Sequence, residues 1–170
     1  MTEGDFVELK TRKPLRSPYI DYKHIGVYFI TLSAEQRKNH FWKYPNKKYD
    51  TPDDIELNEH GSIAAEVIRR IPEFYPYVMV DSFVIMPDHI HLLLRFCVEE
   101  GTEDARQRKS ISVIINQMKG QMTKQIGRSI WKHSFFDHVI RNDNDYEETM
   151  KYIYLNPIRW YYKYSFPRNR

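Results

Sequence analysis

The run MPDHIHLLL, residues 86–94, sets two histidines one residue apart at the head of an apolar stretch. A strand that only filled a core would carry Val or Ile there. Successive strand side chains alternate faces, so His89, His91, Leu93 and Arg95 share one side, and Ile90, Leu92, Leu94 and Phe96 the other. The apolar four are the expected core set. The two imidazoles then sit together on the less buried face with Cα atoms roughly 7 Å apart, a separation at which both can reach one metal ion. The pair also fits two ordinary polar residues on the solvated side of a hairpin, because short motifs recur by chance.

A metal centre needs further ligands and a reacting group. The segment MKYIYLNP, residues 150–157, places Tyr152 and Asn156 four apart, one above the other on a helical face. Two imidazoles with the Asn156 carbonyl oxygen leave coordination positions open for water and phosphate oxygens. Such mixed ligation suits Mg²⁺ or Mn²⁺, although imidazoles also accept zinc. Tyr154 points about 200° around the helix from Tyr152, and is expected to pack against the sheet with Ile153 or Met150. Tyr146 is a rival nucleophile by chemistry but has no partner ligand four residues on.

The elements that must position these groups alternate in type. Residues 26–32 (GVYFITL) form a first strand, and residues 34–58 are polar and mostly loop. Ile63, Val67, Ile68 and Ile71 recur at helical spacing over 62–71, with Pro72 closing the helix. Residues 75–86 return to strand composition, and MPDH turns them into HIHLLLRF as a hairpin. Ser110 can cap a second helix whose stripe is Ile111, Ile114, Ile115, Met118 and Met122, the methionines filling core gaps. Asn116, Lys119 and Lys124 lie off that stripe. SIWKHSFFDHVIR (129–141) reads as a fourth strand. Asn144 and Glu147 have capping-box spacing, so a third helix starts near Asp145, and Pro157 ends it at Asn156. This order predicts an α+β fold: a ferredoxin-like antiparallel sheet with two helices packed on one face and a C-terminal helix carrying Tyr152.

Composition narrows the setting. The 170 residues, 41% hydrophobic and 15% aromatic, suffice for one well-cored domain. Residues 1–24, charged and broken by Pro14 and Pro18, are a basic leader, and 25–170 the single catalytic domain. A net charge of +3 fits an anionic partner without requiring one. The lone Cys97 excludes an internal disulfide and a cysteine zinc site. No stretch approaches the roughly 20 apolar residues of a membrane span, and no signal peptide is present, so a cytoplasmic protein without a membrane partner is expected.

The segments RKPLRSPYIDYKHIGVYFITL, GSIAAEVIRRIP, VDSFVIMPDHIHLLL, WKHSFFDHVIRN and YIYLNPIRW together resemble the single-tyrosine HUH transposases, in particular the REP-associated tyrosine transposase branch. The likeness runs from about residue 12 to 162. Its most specific element is the combination of MPDHIH with Y-x-x-x-N-P some sixty residues later. The resemblance implies a ferredoxin-like fold with a C-terminal catalytic helix and metal-dependent cleavage of single-stranded DNA near hairpins or repeats, in the cytoplasm at the nucleoid. Carried over by position, it implies Tyr152 as nucleophile, His89 and His91 as metal ligands and Asn156 as the third ligand. Asp88 replaces the Asn common before the first His, and Asn156 stands where insertion-sequence relatives carry Gln.

That chemistry is physically coherent. Forming a phenolate at pH 7 from a reference pKa near 10 costs about 4 kcal/mol, and a metal polarising the scissile phosphate lowers that demand. Attack gives a 5′-phosphotyrosine and a free 3′-hydroxyl. Another strand's 3′-hydroxyl can reverse the bond, so no nucleotide cofactor is needed. The protein can work as a monomer or a homodimer.

Other residues carry weaker signals. Asp137 and His138 match family positions and can support the site, or can make structural hydrogen bonds. Of Trp131, Phe135 and Phe136, at most one is assigned to stacking bases. Lys10, Arg12, Lys13 and Arg16 of the leader, and Lys119 and Lys124 on the exposed face of the second helix, are candidate phosphate contacts or simply solvated charges. Two further functions fit parts of the pattern: a noncatalytic hairpin-binding protein on the same fold, and a zinc hydrolase using the His pair with Asp88.

Overall fold

The computed structural model describes residues 25–97 and 108–165. The basic leader, with Lys10, Arg12, Lys13 and Arg16, lies outside the described residues. Four strands, β1 (Gly26–Ser33), β2 (Val78–Ile85), β3 (His89–Phe96) and β4 (Phe136–Ile140), form one sheet in the order β2-β3-β1-β4, with every neighbouring pair antiparallel. This is the split βαβ arrangement expected from the element order.

Register sorts the side chains. Tyr28, Ile30 and Leu32 of β1 stand opposite Leu94, Leu92 and Ile90 of β3, and all six are buried. Helices α1 (Glu59–Arg69) and α3 (Ile111–Ile126) pack against each other and cover this face. The Arg69 guanidinium lies over the ring of Phe83, the cross-strand partner of Leu92. On the other face Thr31 stands opposite His91, and Phe29 opposite Leu93. Helix α4 (Asp143–Ser165) lies over it, as the ring contacts of Tyr152 with Phe29 and His91 record. The histidine face is therefore covered as well. His91 is only 4% exposed and Leu93 is fully buried, contrary to the expectation of a less buried side.

Several local expectations shift. Helix α1 starts at Glu59, because the Asn58 side chain caps it by accepting from Gly61 N (3.0 Å). Pro72 does not close that helix; it sits in the first turn of a separate short helix, α2 (Ile71–Phe74), where a missing N–H costs nothing. Ser110 occupies the N-cap of α3, but its side chain makes no capping bond. The fourth strand is confined to 136–140, with Trp131 held instead in an isolated bridge to Ala34. Residues 34–58 contain only two short 3₁₀ turns, yet they bury Phe41, Trp42 and Tyr49. The indole of Trp42 donates to the Ile85 carbonyl (2.6 Å), and Phe41 stacks on Trp131. The loop is thus a plug beneath the β2–β3 turn.

One close approach pins this plug. Asn58 N donates to the Phe41 carbonyl and its Nδ2 to the His40 carbonyl (3.0 Å). A Cβ on Gly61 would run into that same Phe41 carbonyl and into Leu57. Gly61→Ala is therefore expected to destabilise the protein by about 1–3 kcal/mol despite the better helix propensity of Ala, read as a lowered urea midpoint; an unchanged or raised midpoint would contradict the packing.

Candidate functional site

The site is assembled from β3 and α4. The turn before β3 is fixed by backbone bonds: Met86 N to His89 O (2.8 Å), Ala34 N to Asp88 O (2.8 Å) and His40 N to Pro87 O (2.7 Å). The two imidazoles of β3 lie with ring centroids 4.6 Å apart. Each has its Nδ1 engaged. Asp88 Oδ1 accepts from His89 Nδ1 at 2.6 Å, and His91 Nδ1 is hydrogen-bonded to Thr31 Oγ1 at 2.9 Å. The Nε2 of His91 is buried and has no hydrogen-bond partner among the described residues. Burial, and then the neighbouring His89 ring, push the His91 imidazole down to about 3, so it is neutral and keeps a lone pair available.

Helix α4 begins two residues before the expected start. Asn142, rather than Asn144, supplies the cap, its Oδ1 accepting from Asp145 N (2.9 Å). The Asp145 carboxylate accepts from Arg141 N (3.0 Å) and from His138 Nε2 (2.9 Å), and these bonds hold it below the usual carboxylate range. His138 thus ties β4 to the start of α4. Asp137, its neighbour, is paired with Ile30 and so belongs to the opposite face. Of the two candidates, the sheet turns only His138 to the side of the histidine pair.

The helix also runs on past Asn156, through Pro157, to Ser165. Asn156 Nδ2 donates to the Tyr152 carbonyl (3.1 Å), which occupies the amide end of the side chain and leaves its oxygen for a ligand. Trp160, one further turn along, packs against His89 (5.8 Å between centroids) and against Trp42 (6.3 Å). Tyr152 packs against His91 (5.2 Å) and edge-on to Phe29 (5.8 Å). Asn156 lies on the stripe between these two contacts, facing the histidine pair. Tyr152 is nonetheless 39% exposed, and the Arg159 guanidinium stands over its ring at 5.6 Å.

The donor set fits a divalent cation: an orphaned buried Nε2, a second imidazole oriented by a carboxylate, and a carboxamide oxygen. Among the described residues no group of three or more His, Cys, Asp and Glu is placed to hold a metal; the Asn156 carboxamide is a donor of another type.

Other candidates fall elsewhere. Lys119 is not on an exposed face: it is 7% exposed, and its Nζ donates to the carbonyls of Lys132 (3.0 Å) and Ser134 (3.3 Å), closing the loop before β4. Lys124 is exposed on α3. Trp131 and Phe135 are core, and Phe136 is exposed. Tyr154 points into solvent rather than onto the sheet, because α4 already packs through Ile153. The Tyr146 hydroxyl donates to Asp81 (3.2 Å), an acid that also binds Arg95. Sequence reading missed Thr31, Phe29, Arg159 and Trp160; only the i+4 spacing of Tyr152, Asn156 and Trp160 marked the last.

His91 protonates near pH 3 when folded against a reference of 6.5, so the unfolded chain binds more protons between those values. In chelator, stability is expected to be full above about pH 6.5 and to fall below it, by up to about 1.4 kcal/mol per pH unit. Urea midpoints against pH, with His91→Gln as comparison, check this; equal slopes would contradict a buried neutral ring.

The family model described as "Transposase IS200 like" matches residues 53–156, a span holding His89, His91, Tyr152 and Asn156. A REP-associated tyrosine transposase of Escherichia coli is 32% identical over 135 residues, covering 79% of this chain and 67% of that protein. A Haemophilus influenzae protein named only as uncharacterized is 26% identical over 167 residues, 88% of this chain and 89% of its own. A solved structure described as a REP-associated tyrosine transposase bound to a REP hairpin shares the fold, with a TM-score of 0.59 and 24% identity over 85% of this chain and 74% of that one. No helix among the described residues is long and apolar enough to cross a membrane. By the family match and the Escherichia coli relative, this chain belongs to the IS200-like transposase family.

Proposed function

We propose that the protein is a metal-dependent single-stranded DNA endonuclease and strand transferase that cleaves near hairpins through a covalent tyrosine intermediate. The carrying observation is the exposed Tyr152 ring set 5.2 Å from the ring of His91, whose buried Nε2 has no hydrogen-bond partner among the described residues. A REP hairpin is what the solved relative described above was bound to, which supports a hairpin-bearing partner here.

In this reading His89 and His91, through their Nε2 atoms, and Asn156, through its carbonyl oxygen, hold Mg²⁺ or Mn²⁺. When bound, the ion supplies charge neutralisation at the non-bridging phosphate oxygens. Asp88 and Thr31 fix the two imidazoles with Nε2 free for ligation. Asp88 is thereby occupied, which disfavours its use as a zinc-hydrolase ligand. Phe29 and His91 position the Tyr152 ring from below, and Arg159 brings positive charge to the strand's approach. The phenolic oxygen attacks phosphorus, the bond from phosphorus to the 3′-oxygen breaks, and that oxygen leaves as a hydroxyl after taking a proton. The product is a 5′-phosphotyrosine. Attack by a second strand's 3′-hydroxyl reverses these bonds.

The test is covalent capture with labelled hairpin oligonucleotides from the DNA flanking the gene, in Mg²⁺ or Mn²⁺. A denaturation-resistant adduct is expected for the wild type and none for Tyr152→Phe, for His89→Ala, or in EDTA. Asp88→Ala is expected to weaken metal affinity by about 10- to 100-fold. Tight hairpin binding with no adduct in either metal would favour a noncatalytic binder.

A further inference from the structure

The continuation of α4 beyond Pro157 builds a second feature beside the histidines. A cavity of about 230 Å³ opens there, lined by Asp88, His89, Lys132, Trp160, Lys163 and Tyr164 among others. It is smaller than a typical small-molecule site. Trp160 and Tyr164 form an aromatic wall, with ring centroids 4.2 Å apart, and Tyr164 is more than half exposed. Lys163 lies over the Tyr164 ring at 5.1 Å. Neither Lys132 nor Lys163 has a carboxylate partner among the described residues. Unpaired cations beside partly exposed aromatic rings are the composition of a groove for single-stranded nucleic acid, where bases stack and phosphates meet ammonium groups.

Placement adds direction. Tyr152, Asn156, Trp160 and Tyr164 follow one another at i, i+4, i+8 and i+12, a row that winds by about 40° per step around α4, and Lys163 at i+11 returns to within about 20° of Tyr152. Tyr152 and Tyr164 are separated by roughly 18 Å of helix. His89 belongs both to the histidine pair and to the lining of this cavity, so a strand whose phosphate meets Tyr152 and the histidines has the cavity beside it.

We infer that the cavity between His89 and the C-terminal turn of α4 is a nucleotide subsite, taking one unpaired base of the DNA strand against Tyr164 and Trp160 and its phosphate between Lys132 and Lys163. This rests on the single-stranded DNA reading of the site but not on cleavage.

The full chain carrying Tyr152→Phe, which cannot form the adduct, is titrated in EDTA with the gene-flanking hairpin oligonucleotides. A single abasic site is walked through the single-stranded flank. One position is expected to lose at least about fivefold in affinity, in line with base stacking on an aromatic ring, and Tyr164→Ala, at an exposed ring, is expected to abolish that loss. Lys163→Ala is expected to lower the salt dependence of binding by about one ion. An abasic penalty that stays the same in Tyr164→Ala at every position overturns the subsite, as does absence of binding. Coupling seen with an RNA flank and not with DNA overturns the assignment to DNA. A retained coupling with no adduct in the capture experiment refutes cleavage while leaving the subsite standing.

Discussion

The register of β1 against β3 is the constraint on which the site depends. Side-chain period in a strand is two, so a one-residue slip would carry a whole set of residues to the other face. Tyr28, Ile30 and Leu32 on β1 and Ile90, Leu92 and Leu94 on β3 are all buried, and burying aliphatic side chains of this size is worth roughly 1.5–3 kcal/mol each. A slip would take this set away from α1 and α3 and turn His91 and Thr31 into its place, burying polar groups among aliphatic side chains. The same register, once fixed, places Thr31 against His91 and Phe29 against Leu93. The groups that orient and pack the histidine pair are thus set by hydrophobic burial on the far side of the sheet.

Covering the histidine face changes what an imidazole can do there. A buried cation without a partner is costly, so His91 is held neutral, with Thr31 on one nitrogen and the other unpartnered. An unsatisfied buried polar atom of this kind costs stability. His89, the first residue of β3 and less deeply placed, is held by the adjacent Asp88 carboxylate instead. Two neighbouring imidazoles are therefore oriented by different partners, His91 by a hydroxyl and His89 by a carboxylate.

Much of this was legible in the chain. Period-two alternation in HIHLLLRF separated the histidines from the core set, and the four-residue spacing of Tyr152 and Asn156 put both on one helical face. Strand order followed from element order. What escaped was whatever depended on a partner distant in sequence. A polar position on a strand looks solvated until α4 is known to cover it, and Lys119 looks exposed until the carbonyls of residues 132–134 are found around its ammonium. Phe41, Trp42 and Tyr49 sit in a segment whose overall polarity reads as loop. That reading is right about backbone regularity and silent about burial.

The break at Asn156-Pro157 shows why local rules fail where they do. A proline inside a helix removes a hydrogen bond and costs about 3 kcal/mol, and the residue before it disfavours helical dihedrals. The helix persists because tertiary contacts on both sides of the break offset that cost. Ile153 is buried before it, and Trp160 packs on Trp42 and His89 after it. The Asn156 side chain also supplies a donor to the Tyr152 carbonyl at the weakened turn. Had the helix stopped at Asn156, no fixed relation would exist between Trp160 and His89. Local conflict tolerated for the sake of global geometry is expected at functional positions. Here it falls on the residue that faces the histidine pair.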